Sequence, residues 1–454
     1  MDCECIIFCL IGKLLDRNLS SIILLEFVSP WFLLVLALSS SDSQKHRPNQ
    51  EPMSSTSSTS LEVGLNLPTV LTASALVASG VLLRGLWSNS GRSKSNVIVS
   101  PRETLLPKLT ESQIADLPYP PDALPGARDI ASPFGTIRAY EWGPEDGDKV
   151  LLVHGISTPC LALGSVAHGL VDKGHRVMLF DLFGRGYSDT PSDLNQDIRL
   201  FATEILLVLT SSRLSWTGSG SGGKFALLGY SLGAGISAGF ASYFPDLINS
   251  LILIAPSGLI RPYNLGRANR VIYSQTVIPE FILHRAVKRR LKTPLFARKA
   301  PQGDNTIDTG DAVNAEINLE SNSRVVLSKT HPNITVESAV HHQIDAHDGF
   351  VGAFMSSVRH GPIIEQHELW RKIGKRLTDQ NASRIEGLRK GKVLLILGQH
   401  DAIIKTDEII ADATDALQGN LDIKIIDAGH EAPIEHGDQV VDYIMGFWEL
   451  RLSG

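Results

Sequence analysis

The stretch whose reading decides the fold runs from Lys224 to Tyr243, KFALLGYSLGAGISAGFASY. Phe225 to Leu228 is a short apolar run of the kind that forms a strand buried on both faces. Gly229-Tyr230-Ser231-Leu232-Gly233 interrupts it, and the Ala, Gly and Ser residues that follow continue as a helix. Strand, sharp turn and helix with a serine at the apex is the G-x-S-x-G pattern of a nucleophile elbow. Such a turn holds the serine in strained backbone geometry, and side chains at the flanking positions would collide, which accounts for Gly229 and Gly233. Ser231 then sits at a helix N-terminus, where free N–H groups and the helix dipole favour developing negative charge. The pentapeptide alone also arises by chance in loops. Here the strand before it and the helix after it argue for the elbow.

Working outward, the chain alternates. Residues 136–142 and 150–153 are expected as strands separated by the turn at 143–147, and His154-Gly155-Ile156 closes the second. Residues 160–173 read as helix and 176–180 as an apolar strand, which ends in Asp181-Leu-Phe-Gly-Arg-Gly-Tyr-Ser-Asp189. Residues 197–212 form an amphipathic helical pattern, and 251–255, 393–397 and 423–426 read as further strands. Strands alternating with helices, several of them apolar throughout, predict an α/β fold with a mostly parallel central sheet and helices on both faces.

On that alternation the sequence resembles the α/β-hydrolase fold superfamily, from about Ser132 to Leu452. The resemblance rests on His154-Gly155, the Asp181–Asp189 turn, the elbow, and an acid and a histidine in the expected order. A serine hydroxyl is a poor nucleophile until a base takes its proton, and the base needs an acid to orient it. Val393-Leu-Leu-Ile-Leu-Gly398-Gln-His-Asp401 puts a carboxylate just beyond a strand, at the same sheet edge as Ser231, and Ile425-Ile-Asp-Ala-Gly429-His430 does so with an imidazole. The order Ser231, Asp401, His430 matches the superfamily. A turn role for Asp401 and a loop role for His430 are the plainer alternatives, and His400, His436 and Asp427 are local competitors. His430 is preferred because Gly429-His430 with Glu435 five residues on resembles the family's histidine loop. Gly437 stands where that loop usually has proline. The resemblance also implies an oxyanion hole from the backbone N–H groups of Leu232 and Ile156. His154 and the Asp181–Asp189 turn are expected to be structural. Ser at the apex argues against the chemistries for which this fold carries Asp.

The implied activity is cleavage of a carboxylic ester through an acyl-enzyme intermediate, with a lipid-like ester favoured. A thioesterase, an amidase, a carbon–carbon bond hydrolase and a non-catalytic binding protein remain alternatives. This chemistry requires no organic cofactor and no metal. The formal charge of −6 over 454 residues argues against nucleic acid as the main partner. Three of the four cysteines lie at Cys3, Cys5 and Cys9 and the fourth is Cys160, so no disulfide framework holds the hydrolase part together.

Residues 1–100 differ from the rest. Leu19 to Leu38 is apolar but carries Glu26 and Pro30, Ser39 to Ser60 reads as a polar linker, and Leu65 to Leu83 is apolar and uncharged, followed by Arg84, Arg92 and Lys94. The 65–83 segment is the better candidate for a membrane anchor, and the basic residues after it place the catalytic part on the cytosolic side. Met53 opens a run that resembles an ordinary N-terminus, so residues 1–52 are suspected of being a misassigned start. The expected organisation is 1–100 anchor and linker, 101–260 first part of the core, 261–347 an inserted helical lid, and 348–454 second part of the core.

Three other signals invite chemistry. Gly218–Lys224 fits the opening of a P-loop, but Phe225 replaces the required Ser/Thr and a strand follows where a helix is needed, so a connector is expected. His341, His342, Asp345, His347 and Asp348 lack metal-site spacing and read as a polar face. Residues 284–299 are heavily basic, either a solvated helix face or a surface for anionic lipid.

Overall fold

The computed structural model describes residues 96–218, 223–264, 279–292, 325–384 and 386–449, together with Ser79. The chain divides into two units, Met1–Arg92 and Ser93–Gly454, and the sheet and its helices belong to the second. The apolar stretches 19–38 and 65–83, Ser79 apart, lie outside the described residues, as do most of the Gly218–Lys224 connector and of the 261–347 insertion. Among the described residues no helix is long and apolar enough to cross a membrane.

The strands are β1 (Val97–Ile98), β2 (Ala127–Ser132), β3 (Gly135–Trp142), β4 (Lys149–Val153), β5 (Arg176–Phe180), β6 (Thr190–Pro191), β7 (Phe225–Tyr230), β8 (Ile248–Ile254), β9 (Val393–Gly398) and β10 (Leu421–Ile426). Apart from the small antiparallel pair of β1 and β6, they form one sheet in the order β10-β9-β8-β7-β4-β5-β3-β2. β4, β5, β7, β8, β9 and β10 run parallel, and β3 and β2 close one edge antiparallel. The predicted mostly parallel sheet is therefore observed. The addition is β2, ARDIAS, in which each inward residue alternates with an exposed one. Its inward residues are Arg128, Ile130 and Ser132 and its exposed ones Ala127, Asp129 and Ala131, so the burial alternation leaves no apolar–polar alternation in the sequence.

The longer helices are α1 (Gly164–Asp172), α2 (Ile198–Thr210), α3 (Leu232–Tyr243), α4 (Glu280–Leu291), α5 (Val336–Ala346), α6 (Phe350–His360), α7 (His367–Ser383), α8 (Thr406–Ala416) and α9 (Gly437–Trp448). Right-handed crossovers fix their sides. The chain steps one way from β4 to β5 through α1 and the other way from β5 to β7 through α2, so α1 and α2 lie on opposite faces. α9 packs on α1, while α3 packs on α2 and α7, and α7 on α8. Both faces are thus covered, and the central strands FALLGY and VLLILG are buried at every residue because neither side meets water.

Candidate active site

The parallel strands all end at one edge, and four of them deliver the candidate residues there. Ser231 follows β7 with φ 54° and ψ −119°, a region that only a residue held by its surroundings occupies. Its N–H donates to the Ile254 carbonyl at 3.0 Å and its carbonyl accepts from Ser257 N–H at 3.1 Å, so β8 clamps the turn from both sides. Gly233 is required by close approach, since a Cβ there would run into the Val153 and His154 carbonyls. Gly229 is required likewise, a Cβ meeting Ala234 Cα and Ser237 Oγ at 2.5 Å. The elbow is therefore seated directly on the end of β4.

His430 Nε2 lies 3.0 Å from Ser231 Oγ, and His430 Nδ1 lies 2.7 Å from Asp401 Oδ2. The other oxygen of Asp401 accepts the N–H groups of Ile403 and Ile404, both at 2.8 Å. Held by two backbone donors, the carboxylate cannot swing away from the imidazole. Tyr230, beside the serine, donates its hydroxyl to the His430 carbonyl at 3.1 Å, which ties the histidine loop to the elbow. His430 is 1% exposed and Ser231 7% exposed. Water is thus largely excluded from a hydroxyl–imidazole–carboxylate relay, with one small opening at the hydroxyl.

Two of the competitors lie elsewhere. His400 and Asp427 pair with each other at 3.0 Å on the surface. Glu435, whose spacing favoured His430, does not brace the histidine loop. Glu431 does, accepting Gly429 N–H at 2.9 Å. Glu435 Oε1 is buried without a hydrogen-bond partner, and burial together with the nearby Glu431 charge pushes its carboxyl up to about 7. Gly437, at the usual proline position, opens α9 and leaves the loop intact.

Leu232 occupies the first position of α3, where an N–H has no carbonyl one turn earlier within the helix to bond. Ile156 lies in the loop after β4, buried, and that loop is braced by two side chains that the sequence reading did not single out. Arg185, fully buried, donates from Nε to the Ile156 carbonyl at 3.2 Å, from Nη2 to Ser357 Oγ in α6 at 2.7 Å, and from Nη1 to the Phe183 carbonyl at 3.0 Å. Gln343 of α5 donates its amide to the Ser157 carbonyl and accepts Gly186 N–H at 3.1 Å. The Gln343 partners are 157 and 186 residues away in sequence, and no spacing rule connects them. The one hint was an arginine inside a glycine turn.

His154 is structural, as expected. Its Nδ1–H points at the Gly155 carbonyl (2.9 Å) and Nε2 accepts Leu182 N–H at 2.9 Å. Burial, reinforced by the Arg185 charge, drops its pKa to about 3, so it stays neutral and its acceptor nitrogen is occupied. Asp181 is also structural, accepting Cys160 N–H at 2.9 Å, Tyr187 N–H at 3.0 Å and the Tyr119 hydroxyl. Burial pushes its carboxyl up, partly offset by these donors. Asp189 receives the N–H groups of Ser100 and Thr136 at 2.8 Å each. In the 341–348 run, His347 serves the fold, bonding the Ser188 carbonyl at 2.8 Å and Gly349 N–H at 3.1 Å, and no cluster able to hold a metal ion exists among the described residues.

Compared with known proteins, residues 149–437 match the profile of the alpha/beta hydrolase fold family. The chain belongs to the α/β-hydrolase fold family. It is 29% identical over 147 residues to an uncharacterized protein of Mycobacterium tuberculosis, covering 30% of the chain and 39% of that protein. It is 31% identical over 126 residues to a serine hydrolase-like protein of Dictyostelium discoideum, covering 27% of the chain and 33% of that protein. The match thus spans about two fifths or less of these relatives. Among solved structures, a membrane phospholipase A is 17% identical with TM-score 0.47, covering 82% of this chain and 97% of that chain. The Bacillus subtilis carboxylesterase CesB is 16% identical with TM-score 0.45, covering 71% and 90%.

Proposed function

We propose that this α/β-hydrolase cleaves a carboxylic ester, a lipid-like ester in the favoured case, through an acyl-enzyme intermediate. The observation that carries the reading is the unbroken relay from Ser231 Oγ through His430 to Asp401, at 3.0 and 2.7 Å. As Ser231 Oγ attacks the ester carbonyl, His430 Nε2 takes its proton, and Asp401 holds Nδ1–H and stabilises the imidazolium. The carbonyl oxygen, now negative, is received by the N–H groups of Leu232 and Ile156. On collapse of the tetrahedral intermediate, His430 returns the proton to the departing alkoxide, leaving Ser231 acylated. Water, activated by the same imidazole, then releases the carboxylic acid. Ser in the strained elbow supports attack by oxygen with a removable proton.

In the same reading the 65–83 segment anchors the protein in a membrane with the hydrolase part on the cytosolic side, and the insertion between β8 and β9 forms a lid over the serine. The uncharged apolar length of 65–83 and the basic residues that follow it support this topology.

The test is labelling of the full chain by a fluorophosphonate probe. Wild type should label and Ser231→Ala should not. Equal labelling of both, or none of a folded wild type that also fails to turn over a panel of esters, would overturn the reading.

A further inference from the structure

We propose that the outer face of α4 is a docking surface for an anionic phospholipid bilayer. The proposal stands on that helix alone and not on the esterase reading. α4 buries Leu283, Val287 and Leu291, one residue per turn along a single line, and packs on α6. At roughly 100° per residue, the face away from that line carries Phe281, Ile282, Arg285, Lys288 and Lys292. Phe281 is 70% exposed and Ile282 48% exposed. The helix has one acidic residue, Glu280, whose carboxylate is turned to α6, where Arg359 grips it with two bonds at 2.8 and 3.0 Å. Glu280 is therefore engaged away from Arg285 and Lys288. From outside the helix, Asp345 pairs with Lys292 at its C-terminal end.

A solvated basic face is the ordinary reading of such a helix. It accounts for the cations but not for an aromatic and a branched aliphatic side chain raised into water within the same turn. Leaving Phe281 and Ile282 in water forgoes the gain that burying them would bring. A polyanion such as nucleic acid would use the charges and waste the apolar pair. A bilayer surface uses both: the side chains enter the acyl boundary while Arg285 and Lys288 stay at headgroup level, which is how an interfacial amphipathic helix binds. The stems of the long cations can lie along the apolar layer while their heads remain hydrated.

The experiment is hydrogen exchange of the full chain with phosphatidylcholine vesicles, with and without phosphatidylserine. Reading exchange in the α4 segment separates this contact from binding through other parts of the chain. Amides of Glu280–Leu291 should slow with phosphatidylserine and not with phosphatidylcholine alone, and added salt should reverse the effect. Arg285→Glu with Lys288→Glu should weaken the phosphatidylserine-dependent protection by at least about 25-fold in lipid concentration. Phe281→Ser, which keeps every charge, should weaken it by about tenfold. Matching thermal melts would show that both variants are folded. Unchanged α4 exchange with phosphatidylserine overturns the proposal, as does equal protection by uncharged vesicles or protection that survives charge reversal. Protection by an acidic protein or a soluble polyanion, with none from vesicles, overturns it too and assigns the face to that partner.

Discussion

Replacing Gln343 by leucine tests whether the segment between β8 and β9 controls the reaction through the loop that carries Ile156. Gln343 is 1% exposed and holds two backbone groups at once, the Ser157 carbonyl and the Gly186 N–H. Leucine fills nearly the same space but offers neither donor nor acceptor. A buried hydrogen-bonding group stripped of its partner costs about 1–3 kcal/mol. With two bonds lost and packing kept, a destabilisation of about 2–4 kcal/mol is expected. Removing an oxyanion donor outright costs about 10²–10³-fold in rate. A loop displaced but not deleted should forfeit part of that, about 10–100-fold in kcat, with KM changed far less. The assay is the second-order rate of fluorophosphonate labelling of the full chain, with ester turnover resolved into kcat and KM and a melt in the same buffer. Gln343→Glu keeps an acceptor for Gly186 but turns a carboxylate towards the Ser157 carbonyl, so it should recover part of the stability and little of the rate. If Gln343→Leu melts early yet labels at the wild-type rate, the Gln343 bridge serves stability only and does not control the reaction.

The geometry carries three further outcomes. Asp401→Asn cannot accept Nδ1–H from His430 as a carboxylate does, and labelling should slow by about 10³–10⁴-fold while the melt changes little. Gly233→Ala puts a methyl group against the Val153 and His154 carbonyls, so the elbow must lift off β4. Labelling should be lost, and the melt should fall even though the substituted residue lies in a helix. Glu435 concerns pH: its carboxyl is raised to about 7, so the folded state keeps a proton that the unfolded chain releases in the ordinary carboxylate range. Its contribution is therefore present at acid pH and is lost as pH rises through 7. Glu435→Gln should melt above wild type at pH 8, by a small margin because the group is partly exposed, and the gap should close on acidification. A gap that widens on acidification would refute the assignment.

What could be read from the sequence was whatever a short segment determines alone. The elbow was legible because close approach demands glycine at 229 and 233, and because the apolar run from Phe225 to Leu228 fits a strand covered on both sides. Asp401 and His430 were legible because a residue just past the end of a parallel strand lies at the same edge as every other such residue, once the alternation is known. The structure sets His430, not His400, beside Ser231, and the spacing to Glu435 does not account for that placement. Glu435 favoured His430 by its spacing, whereas in the structure Glu431 braces the loop, and His400 is disqualified by pairing with Asp427 on the surface. The antiparallel edge strand β2 was not legible because its half-buried residues, Arg128, Ile130 and Ser132, include one apolar side chain, while two of its exposed residues are alanine, so no apolar–polar alternation marks it.

Arg185 and Gln343 show why the remainder of the site was not legible. A hydrogen bond between Gln343 and the Ser157 carbonyl leaves no periodicity, since one partner is a backbone group present at every position. The other partner's identity, an amide, is common on any helix face. The structure shows what makes this amide different: it is buried where a backbone donor and a backbone acceptor from two loops converge, and only a group with both functions can satisfy them. Glutamine alone among uncharged side chains of that length does so. The α4 face marks the opposite limit. Its charges were visible in the sequence and so was Phe281, but whether that ring faced the core or water depended on which line of the helix α6 covered. Burial of Leu283, Val287 and Leu291 decides it, and turns a run of basic residues into a surface with a definite apolar edge.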